Sequence, residues 1–149
     1  MFKRILVPVD GSRVGNFALS KAIDLSKDQK CKLRIVHSID YIALTAGVEG
    51  IDAVSLQKSL KKAAEKILEK AKKTAQKKKV KVEVKLIESF KLTNRIDNMI
   101  LKDAKRWRAD LIIVGTHKKR GLKQILFGSQ AENLMHKATI PILLIRSKR

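Results

Sequence analysis

Five short apolar runs alternate with helical patterns along this chain, and that order restricts the possible folds more than any other feature. The apolar runs cover residues 3–9, 33–39, 80–86, 111–114 and 142–145. Between them, apolar residues recur every three or four positions, as they do on the buried face of an amphipathic helix. Strands that alternate with helices in this way are typical of a parallel sheet connected by right-handed crossovers. The pattern predicts a doubly wound α/β fold with helices on both faces of the sheet.

The strands are expected to differ in their surroundings. Nearly continuous apolar runs, such as 111–114 and 142–145, indicate strands that are covered on both faces. Residues 80–86 instead alternate charged residues with valine or leucine, which indicates one solvated face and a place near the sheet edge. Pro8 lacks an N–H group, and proline is ordinarily confined to edge strands, so it argues against a central place for 3–9.

The helical patterns predict four helices. They cover residues 14–25, 56–77, 96–107 and a last stretch that begins near Ser129. Ser12 is a suitable N-cap for the first helix, and Thr93 or Asn94 for the third. Residues 41–50 show no clear period and include two glycines, so they are predicted to form a loop.

Length and composition indicate one cytoplasmic domain over residues 1–149. No apolar run approaches the roughly 18 residues that a membrane span needs. The amino terminus shows a short apolar run broken by Pro8, which predicts a first strand and not a signal peptide. The single cysteine, Cys31, cannot form an internal disulfide and has no Cys-x-x-Cys partner for zinc.

The charge is extreme. Lysine and arginine total 34 against 14 aspartate and glutamate residues, for a formal net charge of +20. Such a charge attracts polyanions with strong salt dependence. Most of the lysines fall on predicted solvent faces of helices, so a solvated surface without a partner is the favoured interpretation of this charge. The sequence shows no helix-turn-helix, zinc or RNA-binding signature.

The stretch 110–129 has the layout of a phosphate-binding loop. A strand ends near Gly115, a cationic loop follows, and Gly128-Ser129 precedes a helical pattern. Glycines let the backbone approach a ligand, and the N–H groups at a helix start bind phosphate. Simpler roles are also open, because Gly115 could turn the chain after the strand and Ser129 could cap the helix. The cations of the loop are Lys118, Lys119, Arg120 and Lys123.

Three segments resemble the universal stress protein family: ILVPVDGS at 5–12, IVHSID at 35–40, and DLIIVGTH with GSQAENLMHKATIPILLIR within 110–146. Nucleotide-binding members of that family show Gly, two residues, Gly, nine residues, Gly, then Ser or Thr. Gly115 and Gly128-Ser129 match the first and last parts of this motif, and Lys118 occupies the position of the second glycine.

The resemblance implies a five-stranded parallel sheet in the order 3-2-1-4-5 and a homodimer that pairs through the last strand. In open α/β sheets, ligands bind beyond the carboxyl ends of the strands where the strand order reverses. With this order the reversal lies between strands one and four, which end near Asp10 and Gly115. The resemblance and the topology therefore predict a ligand site at the same crevice.

The resemblance also implies the contacts of a bound ATP, with Mg²⁺ or Mn²⁺ on its phosphates. Asp10 would meet the nucleoside end, although an Asp-Gly turn could equally use that carboxylate on its own backbone. Ser38 stands where the backbone usually meets adenine, and Ser12 either lines the crevice or caps the helix. The phosphates would meet the loop that begins at Thr116, His117 and Lys118, and then Gly128 and Ser129.

The sequence thus favours a nucleotide-binding universal stress protein that acts as a stress-response regulator or switch. No general base is evident, so any ATP hydrolysis is expected to be slow. His37 is predicted to be packed within its strand, and neither His37 nor His117 has a carboxylate or cysteine partner at metal or triad spacing. Lys118 keeps a second hypothesis open: a member that binds no nucleotide and acts through its dimer and protein-partner surfaces. Polyanion binding through the basic surface is the third.

Overall fold

The computed structural model describes residues 1–50, 52–116 and 129–147. Its strands are β1 (Arg4–Pro8), β2 (Lys32–Asp40), β3 (Lys81–Ser89), β4 (Leu111–Thr116) and β5 (Ile142–Arg146). Its helices are α1 (Arg13–Asp28), α2 (Tyr41–Thr45), α3 (Ala53–Lys77), α4 (Ile96–Trp107) and α5 (Ser129–Lys137). None of these helices is both long and apolar enough to cross a membrane.

The strands form one sheet in the order β3-β2-β1-β4-β5, and every neighbouring pair is parallel. The predicted doubly wound α/β fold and its strand order are confirmed. The strand with alternating charges, β3, lies at an edge as expected. The sheet's two faces bury separate cores: α1 and α3 cover one face, and α4 and α5 cover the other.

Pro8 does not place β1 at an edge, because the proline lies at the end of the strand. β1 pairs with β4 only at Ile5 and Leu6, whereas its register with β2 continues to Pro8. The missing N–H of Pro8 therefore interrupts no bond to β4. A central strand tolerates this proline since pairing on that side has already ended.

Two local predictions were wrong. Residues 41–45 form the short helix α2, because the Asp40 side chain accepts a hydrogen bond from the Ala43 N–H and Tyr41 is buried. The N-cap of α4 is Arg95, which makes no side-chain capping bond, and not Thr93 or Asn94. The Asn94 carbonyl instead accepts a hydrogen bond from the Ser89 hydroxyl at 2.7 Å, which closes the turn before α4.

A buried carboxylate joins the two helices of the second face. Asp97, in the first turn of α4, accepts a hydrogen bond from Lys137 Nζ at 2.6 Å and one from Arg95 Nε at 3.2 Å. Burial alone would raise the pKa of Asp97, but the bonds from Lys137 and Arg95 outweigh burial and hold that pKa below its usual range. The contact fixes the last residue of α5 against the first turn of α4.

We predict that Asp97→Asn lowers the free energy of unfolding at pH 7 by about 2 kcal/mol, the usual contribution of charged hydrogen bonds. Because the folded-state pKa lies below the unfolded value, the stabilisation is complete above about pH 4 and is lost as the pH falls further. Urea denaturation at pH 7 and at about pH 3.5 measures the effect, with the exposed Asp28→Asn as control. An Asp97→Asn deficit of equal size at both pH values would contradict this assignment.

Candidate functional site

The strand order reverses between β1 and β4, and the two strands part there. Their register contains only Ile5 with Leu111 and Leu6 with Ile112, although β4 continues to Thr116. The carboxyl ends of β1 and β4 therefore flank a crevice at the position where ligands bind in open α/β sheets. Asp10 and Gly115 lie near these two ends, so the structure brings both predicted residues to the same crevice.

The segment from Asp10 to Ser12 is a tight turn that starts α1. Asp10 Oδ1 accepts a hydrogen bond from the Ser12 N–H at 2.9 Å, and Ser12 Oγ accepts one from the Gly15 N–H at 3.0 Å. Gly11 has a φ of 79°, a left-handed conformation that favours glycine. The Asp-Gly turn and the Ser12 cap, both considered from the sequence, are therefore present. Asp10 is exposed, and its Oδ2 accepts no hydrogen bond from the described residues.

Gly15 makes room for that turn. A Cβ atom at Gly15 would lie 2.7 Å from Asp10 Oδ1 and 3.2 Å from Ser12 Oγ. Real Cβ atoms essentially never approach an atom as closely as the first distance. A side chain at this position would therefore displace the Asp10 carboxylate from its turn.

Gly115 is required for packing between a strand and a helix. The residue lies within β4, so it does not turn the chain after the strand, as one sequence interpretation held. A Cβ at Gly115 would lie 2.7 Å from the Val14 carbonyl oxygen and 2.8 Å from Val14 Cγ1. The absence of a side chain lets the first turn of α1 contact β4 directly. Gly115 is thus needed for the contact between α1 and β4, whether or not a ligand also approaches it.

Polar side chains lie on the other face of the crevice. Val36, Ile112 and Val114 belong to the core under α4 and α5, and side chains alternate along a strand, so Ser38 and Thr116 share that face. Gln130, in the first turn of α5, donates a long hydrogen bond of 3.4 Å to Ser38 Oγ. This contact connects α5 to the end of β2 across the sheet.

Thr116 is the residue of this face that most needs a partner. It is only 3% exposed, and its Oγ1 finds no hydrogen-bond partner within residues 1–50, 52–116 and 129–147. A buried hydroxyl without a partner is costly, so native proteins almost always satisfy it.

His37 is half-buried within β2, as predicted. Its Nδ1 lies 2.6 Å from the Val9 carbonyl oxygen, so Nδ1 is the protonated nitrogen and donates to that carbonyl. The Val9 N–H in turn donates to the Val36 carbonyl at 2.8 Å. These two bonds hold the residue immediately before Asp10 against β2.

Three predicted site residues, His117, Lys118 and Gly128, lie outside the described residues. Ser129 begins α5, so the predicted start of the last helix is confirmed. Among the described residues, no three histidine, cysteine, aspartate or glutamate side chains come together as a metal site. The turn after β1 contains one carboxylate, that of Asp10.

Sequence reasoning missed Gly15 and Gln130. Gly15 follows the turn by three residues in a helical pattern, and the contact that requires a glycine there, with Asp10, is visible only in the structure. Gln130 follows Ser129 directly. Its contact with Ser38 could not be predicted, because the two residues lie far apart in the sequence. A glycine within the first turn of a predicted helix was the available signal for Gly15, because glycine is costly there without a packing reason.

Comparison with known proteins gives the family. Residues 1–146 match the model of the universal stress protein family. Universal stress protein YxiE of Bacillus subtilis is 32% identical over 149 residues, with 98% of this chain and all of YxiE covered. Universal stress protein MJ0531 of Methanocaldococcus jannaschii is 31% identical over 149 residues, with all of this chain and 85% of MJ0531 covered.

The solved structures agree with this assignment. The structure of MJ0577, a universal stress protein of Methanocaldococcus jannaschii, is 28% identical and superposes with a TM-score of 0.81. That comparison covers 99% of this chain and 98% of MJ0577. The crevice at the strand reversal, the sequence segments around it and the match over nearly the whole length lead to one conclusion: this chain belongs to the universal stress protein family.

Proposed function

We propose that this protein binds ATP or a related nucleotide in the crevice between the ends of β1 and β4, as a stress-response regulator or switch. One observation supports this proposal above the others. At the strand reversal, β1 and β4 separate, and two polar atoms near the strand ends make no hydrogen bond within the described residues: the exposed Asp10 Oδ2 and the buried Thr116 Oγ1. A ligand with hydroxyl and amine donors satisfies both groups.

The two faces of the crevice suit the two parts of a nucleoside. A carboxylate accepts hydrogen bonds from neighbouring hydroxyls, so Asp10 Oδ2 would receive those of the ribose. Ser38 and Gln130 lie on the α5 side and have both donors and acceptors, which suits the edge of a base. The weak 3.4 Å bond between them is readily exchanged for bonds to a ligand.

We assign the phosphates of the nucleotide to the family's glycine motif, which runs from Gly115 to Ser129 in this chain. Ser129 begins α5, and the N–H groups of a helix start attract anions. Gly128 and the loop from Thr116 to Lys118 would supply further backbone contacts, and Lys118 would add a positive charge in place of the second glycine. Mg²⁺ or Mn²⁺ would be held mainly by the phosphates, with Asp10 as the neighbouring carboxylate.

Relatives of known structure add support at the level of the fold. One universal stress protein has been solved in complex with cAMP and one from Archaeoglobus fulgidus in complex with dAMP. They are 19% and 20% identical to this chain, with TM-scores of 0.67 and 0.66. Adenine nucleotides therefore bind proteins of this fold, and the proposal for this chain rests on its own crevice residues.

We predict that isothermal titration with Mg²⁺-ATP detects binding to the wild-type protein and at least tenfold weaker binding to Asp10→Ala. The reason is the loss of two hydrogen bonds to a charged acceptor, each of which contributes about 1.5–3 kcal/mol. Asp28→Ala, which removes an exposed carboxylate at the far end of α1 from Asp10, is the matched control and should bind like the wild type.

Lys118→Gly separates the two principal hypotheses in the same titration. If the wild type binds ATP and Asp10→Ala weakens that binding, the nucleotide-binding proposal stands. If only Lys118→Gly binds, the natural protein is a member without nucleotide that acts through its dimer and protein-partner surfaces. Absence of heat at millimolar ATP for both proteins would reject nucleotide binding.

We also propose that two copies pair through β5. Within the sheet, β5 pairs with β4 alone and has an unpaired outer edge among the described residues. Leu143 is 40% exposed on this strand, and Ile142, Leu144 and Ile145 are each only partly buried. An exposed apolar edge strand is prone to pair with another strand, and a second copy would cover it.

We predict that Leu143→Glu shifts the protein from dimer to monomer in light scattering at micromolar concentration. Two carboxylates facing each other across a symmetric interface would repel and lose their hydration. Leu92→Glu, at an 83% exposed residue between β3 and α4, is the control and should leave the mass unchanged. A wild-type protein that is monomeric throughout would contradict the dimer proposal.

A further inference from the structure

A stripe of lysines runs along the outer face of α3. Ala64, Leu68, Ala71 and Ala75 bury the inner face of this helix against the sheet. At about 100° per residue, the stripe lies on the opposite side of the helix, within about 70° of the direction directly away from these four residues. All of its members are exposed, and it extends over about 28 Å at a rise of about 1.5 Å per residue. The lysine stripe consists of Lys58, Lys62, Lys66, Lys70, Lys73 and Lys77.

The acidic residues of α3, Glu65 and Glu69, lie beside this stripe and compensate only part of its charge. Lys73 is 3.7 Å from Glu69, and the other five lysines make no ion pair with any residue of the described chain. Like charges three or four residues apart destabilise a helix, and every neighbouring pair in the stripe has that spacing. The negative end of the helix dipole favours cations near Lys77, but it does not extend to Lys58 or Lys62.

The positive surface continues at the end of α3. Lys79 follows the helix, and Lys81, the first residue of β3, stands in register with Lys32 of β2. Lys30 and Lys79 have φ values of 54° and 59°, left-handed conformations that glycine adopts more readily. Lysine thus occupies two positions where the backbone favours glycine. We call Lys30, Lys32, Lys79 and Lys81 the amino-edge cluster, after the amino ends of the strands.

We propose that the lysine stripe and the amino-edge cluster bind the phosphate backbone of double-stranded DNA without reading its sequence. The lysines of the stripe follow one another at about 6 Å, along a rigid helix that is anchored to the sheet. Duplex DNA presents a regular line of phosphates, which such a row of point charges can follow. Lysines that served only solubility would have no need to lie in one row on a single face of α3.

Other polyanions fit the surface less well. Single strands are held by exposed aromatic side chains on which bases stack, and the stripe contains none. Peripheral membrane helices insert an apolar face, but α3 buries its apolar face against the sheet, and no exposed large hydrophobic residue occurs in 58–77. The wide major groove of B-DNA admits a helix, whereas that of duplex RNA is deep and narrow.

Fluorescence anisotropy with a labelled DNA duplex of about 20 base pairs tests this proposal at several salt concentrations. The variant Lys62→Gln, Lys66→Gln, Lys70→Gln removes three charges from the stripe, and glutamine keeps the helix propensity of lysine. The matched control is Lys85→Gln, Lys91→Gln, Lys102→Gln. It removes the same charge from exposed positions that lie away from the stripe, on β3, on α4 and in the turn between them.

We expect each stripe lysine to contribute about 0.9 to the slope of log K against log salt concentration. The stripe variant should therefore lose about 2.7 from the wild-type slope. Between about 50 and 200 mM salt, the wild-type affinity should fall about 40-fold more than that of the variant. The control triple should retain the wild-type slope.

Three outcomes would overturn the proposal. Equal losses in the stripe and control variants would show attraction by net charge alone. Absence of wild-type binding at about 50 mM salt would exclude a DNA surface. Tighter binding to an RNA duplex of the same sequence would assign the surface to a different partner. Circular dichroism of both triple variants verifies that α3 remains folded.

Discussion

The close contact between α1 and β4 at Gly115 determines how the crevice is built. With no side chain at Gly115, the Val14 carbonyl lies against the strand, and this contact sets the position of the first turn of α1. The turn from Asp10 to Ser12 must then fit between the end of β1 and that helix, which Gly11 and Gly15 allow. A glycine that the family motif associates with a ligand thus also fixes the helix beside the ligand position.

The carboxyl ends and the amino ends of the parallel strands carry groups of opposite charge preference. At the carboxyl edge, β1 and β4 separate, and carboxylate and hydroxyl groups surround the gap. At the amino edge, helices α1 and α3 end, and lysines occupy the positions where the chain enters β2 and β3. Because the strands are parallel, all their amino ends lie on one side of the sheet and all their carboxyl ends on the other, so the lysines and the crevice groups are separated by the length of the strands. A small ligand at one edge and a polyanion at the other could be bound by one molecule at the same time.

The sequence predicted the α/β class from strand and helix periods, which are properties of neighbouring residues, and the strand order from its resemblance to the universal stress protein family. It also located Asp10 and Gly115, since topology brings the ends of β1 and β4 together. It failed where distant contacts decide the outcome. The burial of Tyr41 in α2, the Gln130 contact with Ser38 and the space that Gly15 leaves for Asp10 all depend on packing between segments. The expectation that Pro8 would place β1 at an edge was wrong, because the effect of a proline depends on where the pairing of β1 with β4 ends.

The most direct measurement is an ATP titration followed by the backbone amide signals in NMR spectra. ATP is itself a polyanion, so binding alone does not distinguish the crevice from the lysines of α3. If the crevice is the nucleotide site, the signals of residues 10–15, Ser38, Thr116 and Gln130 shift in a saturable manner at constant salt. If the shifts are instead confined to residues 58–81 and disappear as salt is added, the nucleotide site at the strand reversal is contradicted.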